Sequence, residues 1–358
     1  MNFRFFSRAI VCGLAALAFF ASCSDDDTPS WKEGSTVNLP SYRAFVLSEG
    51  SYGSNNSHLV FLNPEKDTIY THDIFEAQNN GLKIGDTAQG MIDYNGDIYY
   101  VVNGSGYIVR LNGSGVMQSR YAFGDELGQP RYMTAKDGKV YVTSYGGYVS
   151  RFDARTLELE ASVKVDANPE QIVEKDGKLY CVNSGYGMGN TMSVIDVNAF
   201  DKAESVTIVQ DPFALQEDNG FFYVMGYDQN WTSWVYAYDP ATQSCRQIAQ
   251  AGRMLADGGK LFFSNSVASA DWTSYDTSFY IYDPQTGKVG DWVLSGAPET
   301  LYKSVVYMIV REPRYQGFYI ATTDYYTNGT LYHFDKNGRF LNQVSAGGVN
   351  PNSMIFLY

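Results

Sequence analysis

The chain has 358 residues and a formal net charge of −13 at neutral pH. A surface that binds nucleic acid needs charge of the opposite sign, so this composition argues against a nucleic-acid partner. Its 29 tyrosines favour strands. No segment carries a long apolar repeat of 3.6 residues, so the composition predicts an all-β fold.

The N-terminus has the pattern of a secretory signal, with Arg4 and Arg8 before an apolar run and small residues before Cys23. The segment ending at Cys23 resembles a bacterial lipobox, with Phe20 in place of the usual Leu. The acidic residues that follow resemble an export signal for surface lipoproteins. We therefore expect residues 1–22 to be a lipoprotein signal peptide and Cys23 to be lipidated, which would anchor the protein in the outer membrane facing the cell exterior. An ordinary signal peptide with a chance cysteine is the alternative.

Residues 23–40 are polar and acidic and are predicted to form a flexible tether after the lipidated cysteine. Residues 41–358 would then form one domain, which contains Cys181 and Cys245. Export would permit a disulfide between them. However, Cys181 lies within an apolar run and Cys245 near a turn two repeats away, so we expect both to be reduced.

Short strand pairs closed by tight turns recur at about 40 residues, the length of a four-stranded propeller blade. A two-residue hairpin needs positive φ at its centre, which Asn-Gly and Asp-Gly pairs supply. The turns of this kind are Asn95-Gly96, Asp137-Gly138, Asp176-Gly177, Asn219-Gly220 and Gly258-Gly259. The clearest repeat predicts strands A to D at 132–136, 140–144, 148–153 and 158–165.

The two ends of the domain each supply part of one blade. Residues 350–357 look like a strand A with no strand B after it, and residues 44–47 like a strand B with no strand A before it. Pairing them would close the ring and remove exposed sheet edges. The sequence therefore predicts a seven-bladed β-propeller with four-stranded antiparallel blades. Six or eight blades stay open, because the repeat at 298–346 is irregular, with Arg311-Glu312-Pro313 in its first hairpin.

The loops of such a ring fall on two faces with different chemistry. The A–B and C–D turns lie on one side, the turn face, and the A–B turns there are tight. The B–C and D–A loops lie on the other side, the loop face, where the B–C loops are long and rich in Tyr, Trp, Ser, Gly and Asn. Stiff aromatic area and adaptable polar groups together favour binding, although such aromatics could merely cover the sheet ends. The candidate ligand-binding residues are Tyr52, Asn55, Asn103, Tyr145, Tyr186, Met188, Trp231, Trp234, Trp272, Tyr275 and Tyr325.

The sequence carries few signs of catalysis. Its three histidines, His58, His72 and His333, lack zinc-ligand spacing, and no Gly-x-Ser-x-Gly elbow precedes a helix. We therefore expect that the protein is not an enzyme and holds no metal or cofactor. A propeller hydrolase or lactonase with a central metal is the alternative. The strand A residues that could approach the axis in that case are Gln171, Glu174, Gln216 and Glu299.

Two segments resemble the signatures of a known family. Residues 47–59, which contain Glu49-Gly50, resemble the opening signature of a bacteroidete-type surface lipoprotein family of YncE-like, DUF5074-like propellers. Ser48 stands where that family usually has Asn. Residues 84–91 match a second signature, at the start of the family's second blade. Together with the repeats, the resemblance covers the whole of the predicted domain.

The resemblance is greatest to the BtuG-like branch of that family, and it implies a function. A member of this branch captures cobalamin (vitamin B12) at the cell surface and passes it to a BtuB-like TonB-dependent outer-membrane transporter. Cobalamin is a large, disc-like ligand with amide side chains and apolar edges. The candidate aromatic residues would stack on it, and Asn55 and Asn103 would bind its polar groups. A surface propeller for another ligand, such as a glycan or a protein, is the alternative.

Overall fold

The computed structural model describes residues 30–70, 73–185, 187–271 and 274–358. Within these residues the chain forms seven four-stranded antiparallel sheets, which confirms the predicted seven-bladed propeller. The inner strands of neighbouring sheets contact one another in sequence around a ring. The seven blades therefore surround a central axis.

Blades 1 to 4 take up the first half of the chain. The strands are β1 (Arg43–Ser48), β2 (His58–Asn63), β3 (Thr68–Tyr70), β4 (Ala88–Tyr94), β5 (Asp97–Val102), β6 (Tyr107–Leu111), β7 (Met117–Ala122), β8 (Pro130–Lys136), β9 (Lys139–Ser144), β10 (Tyr148–Asp153), β11 (Leu159–Lys164), β12 (Pro169–Lys175), β13 (Lys178–Asn183), β14 (Thr191–Asp196) and β15 (Ala203–Thr207). The third blade, β8 to β11, follows the predicted strands to within two residues.

Blades 5 to 7 and the closing strand take up the second half. The strands are β16 (Pro212–Asp218), β17 (Phe221–Tyr227), β18 (Ser233–Asp239), β19 (Ser244–Gln250), β20 (Arg253–Asp257), β21 (Lys260–Ala268), β22 (Tyr275–Asp283), β23 (Lys288–Asp291), β24 (Val305–Arg311), β25 (Phe318–Thr323), β26 (Thr330–Phe334), β27 (Phe340–Ser345) and β28 (Pro351–Leu357). In every blade after the first, the four strands follow one another in both sequence and space.

The tight A–B turns have the predicted left-handed geometry. Asp137 and Gly138 have φ of 48° and 75°, and Asn95 and Gly96 have 53° and 83°. Both central residues of each turn are thus in the region that twists a hairpin in the same sense as its strands. This chemistry fixes the turn face and leaves the opposite face to the long loops.

The last strand closes the ring by pairing with the first. Strand β28 is the inner strand of blade 1 and runs antiparallel to β1, with Phe45 opposite Ile355. Every residue of β1 is buried. Residues of both strands join an apolar cluster with Met308 and Tyr319 of blade 7. The predicted composite blade is therefore confirmed, and burial of apolar area holds it shut.

Residues 30–40, which the sequence assigned to the tether, contact the propeller. A short 3-10 helix (Ser30–Lys32) places Trp31 over the guanidinium of Arg43, 3.6 Å from the ring centre. Arg43 is buried and donates from Nε to the carbonyl of Gly113. The backbone N–H of Thr36 donates to Gln78 Oε1 at 2.8 Å. The packed part of the chain thus begins before residue 41.

Two short helices lie in connections between blades. Helix α1 (Ile74–Gln78) is capped by Asp73, which accepts from two backbone N–H groups of its first turn. Helix α2 (Glu299–Tyr302) precedes β24 and contains Glu299. The expectation that Glu299 lies on an inner strand near the axis is therefore wrong: the residues after Pro298 form a helical turn, and Glu299 is exposed.

Two further features concern the described residues only. Cys181 is buried, Cys245 is half-buried, and both are free thiols, as expected. Among residues 30–70, 73–185, 187–271 and 274–358, we find no helix with the length and apolar character needed to cross a membrane. The predicted signal peptide and Cys23 lie outside the described residues.

Candidate functional site

A cavity of about 500 Å³ follows the axis of the propeller, and inner strands of all seven blades line it. Each inner strand begins at the loop face, because its first residue pairs with the last residue of strand B, as Pro130 does with Ser144. The first residues of the inner strands therefore meet around the loop-face end of the cavity. We call this end the channel mouth.

Bulges direct side chains at the channel mouth. In blade 3, Pro130 pairs with Ser144 and Met133 with Val142, so that the two residues between them oppose only one on the partner strand. Similar irregularities occur near the start of the inner strand in six of the seven blades. Bulges re-aim side chains and are frequent beside functional sites. The residues near the start of the inner strands, which we call the mouth ring, are Gln89, Arg131, Glu170, Phe213, Arg253, Tyr307 and Asn352, and the strand of Arg253 carries no bulge.

One side of the mouth ring is a buried ion pair. Arg131 donates to Glu170 Oε2 from Nε at 3.0 Å and from Nη2 at 2.8 Å, and Nη1 donates to Gln89. Tyr145 donates its hydroxyl to the other Glu170 oxygen at 2.7 Å. Burial raises the pKa of Glu170, and the Arg131 charge opposes that rise. The carboxylate and the guanidinium therefore neutralise each other here.

A second carboxylate, Glu49, reaches the cavity from the first B–C loop. Its Oε1 accepts from the Tyr307 hydroxyl at 2.5 Å and from the Asn350 amide at 3.2 Å. Its Oε2 accepts from the Asn352 amide at 3.3 Å. Burial and the nearby Glu49 charge raise the pKa of Tyr307, so this hydroxyl stays protonated and remains a donor. Glu49 is thus held in place by three donors.

Arg253 is the other cation of the mouth ring, and its environment differs. It donates from Nε to the carbonyl of Tyr307 at 2.9 Å and from Nη1 to the carbonyl of Gly252 at 2.8 Å. Its guanidinium lies 4.6 Å from the centre of the Tyr307 ring. Among the described residues, no carboxylate lies within salt-bridge distance of Arg253.

Two aromatic stacks run from the channel mouth to the loop rim on either side of Arg253. In the first, Phe213 stacks on Tyr227 at 4.7 Å, and Tyr227 contacts Trp231 at 5.9 Å between ring centres. In the second, Tyr307 meets Tyr325 edge to face at 6.1 Å. Such ring pairs add stability beyond their buried area. They form a continuous aromatic wall from the axis to solvent.

The structure places most of the predicted loop-face residues at an exposed rim. Tyr52 is 84% exposed, Met188 89% and Trp231 66%, so these side chains are free to meet a ligand. Tyr325 is partly exposed, Asn55 is exposed and Tyr275 is half-buried. Tyr186 and Trp272, the other two rim candidates, lie outside the described residues.

Three predicted site residues are instead engaged within the protein. Asn103 is buried and donates its amide to the carbonyl of Pro130 at 3.0 Å, which ties blade 2 to blade 3. Trp234 donates its indole N–H to Asp228 at 3.0 Å and so closes its own loop. The Tyr145 hydroxyl bonds Glu170 at the mouth ring.

Two of the residues proposed to approach the axis do so. Gln171 and Gln216 line the cavity, and their side-chain oxygens accept backbone N–H groups of neighbouring blades. Glu174 instead accepts from Gly177 in its own A–B turn, on the turn face. Within the part of the chain that the structure describes, no three His, Cys, Asp or Glu side chains come together as a metal site.

None of the mouth-ring residues was among the site residues predicted from the sequence. They are about 40 positions apart, each at the start of an inner strand, and no local motif unites them. One signal was available: Glu49 belongs to the Glu-Gly segment used to identify the family, yet its side chain was not proposed for the site. Tyr227 and the exposed Tyr326 were also passed over, although they lie in the aromatic loops.

Comparison with known families gives one match. The model of a domain of unknown function, DUF5074, matches residues 42–249, which is more than half of the chain. No protein of curated function matches the chain in sequence.

Several solved structures share the fold. A putative 6-phosphogluconolactonase from Bacteroides fragilis has a TM-score of 0.61 and 13% identity, over 90% of this chain and 99% of that one. The periplasmic gluconolactonase PpgL of Pseudomonas aeruginosa has a TM-score of 0.56 and 13% identity, over 88% and 99%. A protein of unknown function from Bacteroides caccae has a TM-score of 0.50 and 12% identity, over 89% and 99%. At these identities the likeness shows the fold alone.

These structures correct one expectation. The lack of catalytic motifs in the sequence predicts that the protein is not an enzyme. That prediction is wrong, because two of the similar propellers bear the names of lactonases. The fold therefore accommodates hydrolytic chemistry, and missing triads or zinc motifs do not exclude it.

Proposed function

Because the chain belongs to the DUF5074 family of proteins, we propose that it is a surface lipoprotein that captures cobalamin at the channel mouth and passes it to a BtuB-like TonB-dependent transporter. The observation that carries the proposal is the exposed aromatic rim above a polar mouth ring. Tyr52, Met188 and Trp231 project into solvent on the loop face, where they would otherwise be a liability for a soluble domain.

The geometry suits a ligand larger than the cavity itself. The cavity volume of about 500 Å³ lies within the range of pockets that hold drug-sized molecules. A corrinoid is larger than such molecules. We therefore place the disc across the rim, with one edge entering the channel mouth. The aromatic stacks would contact its faces, and the amide nitrogen of Gln89 would meet polar groups at its edge.

The N-terminal sequence supports delivery to the cell surface. The apolar run and the lipobox-like segment at Cys23 favour lipidation, and the acidic residues after it favour export to the outer face. A receptor in this position would hold the vitamin beside a transporter in the same membrane. Purification of a transporter together with the anchored protein, and loss of that association when Cys23 is replaced by Ala, tests this part.

Calorimetric titration of the processed chain with cyanocobalamin tests the binding. Truncation of a Trp that a ligand covers as a binding hot spot costs about 2 kcal/mol or more, so we expect Trp231→Ala to weaken binding by about 30-fold. The matched control is Tyr315→Ala, which removes a half-exposed aromatic ring on the turn face and should leave affinity within about twofold. Absence of binding heat for the unaltered chain would reject cobalamin and favour a glycan or protein ligand.

A second candidate function is hydrolysis of a sugar lactone. It is favoured by Glu49, a carboxylate that lines the cavity beside a protonated tyrosine, and by the lactonases that share the fold. Glu49 would accept a proton from water as the water oxygen bonds to the lactone carbonyl carbon. The ring ester C–O bond would break, Tyr307 would protonate the leaving alkoxide, and the proton on Glu49 would return to the Tyr307 oxygen that it contacts. Proton release from gluconolactone above the spontaneous rate, lost in Glu49→Gln, is the expected result. A rate equal to the spontaneous one would reject it.

A further inference from the structure

Arg253 presents hydrogen-bond donors that the protein does not use. A guanidinium carries five N–H groups, and two of those on Arg253 reach backbone carbonyls. The other three have no acceptor among the described residues. The hydroxyls of Tyr132, Tyr227 and Tyr325 likewise have none there, and the Arg253 charge acts on all three, partly offsetting the rise that burial gives to their pKa values.

The other charges at the channel mouth are already satisfied. Arg131 is paired with Glu170, and the two oxygens of Glu49 accept from three donors. Glu49 forms no salt bridge with Arg253. The Arg253 guanidinium lies over the face of the Tyr307 ring, whereas the Glu49 carboxylate accepts from the hydroxyl at the edge of that ring. Arg253 is therefore the cation at the mouth whose charge is left for a ligand.

The surroundings strengthen an interaction with an anion. Arg253 is half-buried between aromatic stacks, where the effective dielectric constant is lower than in bulk water. A cleft with low-dielectric walls also concentrates the field of its charge. A guanidinium together with several hydroxyl donors suits an acceptor with oxygens pointing in several directions, which a phosphoryl group provides and a flat carboxylate does not.

We propose that Arg253, with the hydroxyls of Tyr227 and Tyr325, forms a subsite for the phosphoryl group of the ligand. The inference rests on the proposed function only in placing the ligand at the channel mouth. Both candidate ligand classes offer the required chemistry: cobalamin carries a phosphodiester in its nucleotide loop, and a phosphorylated sugar lactone carries a phosphomonoester. Analogues without phosphate, cobinamide and gluconolactone, complete both comparisons.

The test compares Arg253→Gln with Arg155→Gln, which removes an exposed arginine on the turn face. Each is titrated with cyanocobalamin, dicyanocobinamide, 6-phosphogluconate, gluconolactone and inorganic phosphate, and thermal unfolding confirms that each is folded. A charged hydrogen-bonded contact is worth about 1.5–3 kcal/mol. We therefore expect Arg253→Gln to lower the affinity for the phosphate-bearing ligand by about 10- to 100-fold and the affinity for cobinamide by less than about twofold. Arg155→Gln should change neither.

The results with the different ligands distinguish cobalamin capture from the phosphoryl subsite. If the unaltered chain binds no corrinoid but binds 6-phosphogluconate or phosphate through Arg253, cobalamin is rejected and the subsite stands. If Arg253→Gln binds cobalamin and cobinamide more weakly by the same factor, or if it binds both as tightly as the unaltered chain does, the subsite is rejected and cobalamin capture stands. If no phosphate-bearing probe binds the unaltered chain, the subsite is rejected as well.

Discussion

Arg131 and Arg253 occupy corresponding places at the starts of the inner strands of blades 3 and 6, yet the protein treats them differently. Arg131 has a carboxylate partner, an amide partner and the ring of Tyr145 beside it. Arg253 has two backbone carbonyls and aromatic rings, and no salt bridge within the described chain. Arg131 therefore forms an ion pair within the protein, whereas Arg253 keeps N–H donors that bind no acceptor in the described residues.

The difference shows that equivalent positions in a repeated fold can carry side chains with different roles. Each blade places one residue from the start of its inner strand at the channel mouth, and the side chains at these positions differ from blade to blade. Ion pairing of neighbouring blades, as at Arg131 and Glu170, stabilises the ring. Within the described residues Arg253 forms no such ion pair, and its contacts are with backbone carbonyls and an aromatic ring.

The largest expected effect is on stability. Arg131→Met leaves Glu170 buried without its partner, and breaking a buried pair typically costs 3–5 kcal/mol, so we expect the free energy of unfolding to fall by about that amount. Arg253→Met strands no carboxylate and should cost at most about 1 kcal/mol. Urea denaturation of both variants checks this. Equal losses would show that the two arginines are structurally alike.

The next effect is on pH dependence. Burial raises the pKa of Glu170, so the folded state holds its proton more tightly than the unfolded state does. That contribution to stability is complete below the unfolded value of about 4.5 and is lost as pH rises through the folded pKa. The stability of the native chain relative to Glu170→Gln should therefore increase as the pH falls through the folded pKa of Glu170 toward 4.5, in total by about 1.4 kcal/mol per unit of pKa rise. A relative stability that falls on acidification would contradict the assignment.

The smallest effect concerns two tyrosine hydroxyls. Tyr145→Phe removes the donor to Glu170 and should cost about 1 kcal/mol of unfolding free energy. Tyr325→Phe removes a hydroxyl with no acceptor in the described structure and should be nearly neutral for stability, while weakening a phosphate-bearing ligand. Denaturation curves of the two variants measure the effect on stability, and titrations with a phosphate-bearing ligand measure the effect on binding. A destabilised Tyr325→Phe would assign that hydroxyl to the fold.

The sequence predicted the parts of the molecule that depend on local chemistry. Asp137-Gly138 and its counterparts set the blade period and the turn face, because positive φ is a local requirement. The pairing of the chain ends followed from counting strands. The exposed rim followed from loop composition, since Tyr52 and Trp231 lie in segments too polar and too long for a hairpin.

The channel mouth was harder to predict because it is assembled from single residues of separate blades. Whether a bulge turns Glu170 toward Arg131 depends on strand register, which composition does not reveal. Asn103 was chosen by residue type and is buried, since the carbonyl of Pro130 accepts its amide. Gln171 and Gln216 were placed correctly near the axis, but their oxygens serve the backbones of neighbouring blades.

The position of strand β28 constrains the order in which the molecule can assemble. Strand β1 is among the earliest parts of the propeller to be synthesised, and its inner neighbour is the last. Until residues 351–357 are available, β1 keeps an apolar, unpaired edge, which is a template for aggregation. The proposed export, if it carries the chain unfolded, would remove this hazard, because both ends would reach the same compartment before folding begins. Deletion of residues 351–357 would thus open the whole ring, although it removes only one of the 28 strands in the described part of the chain.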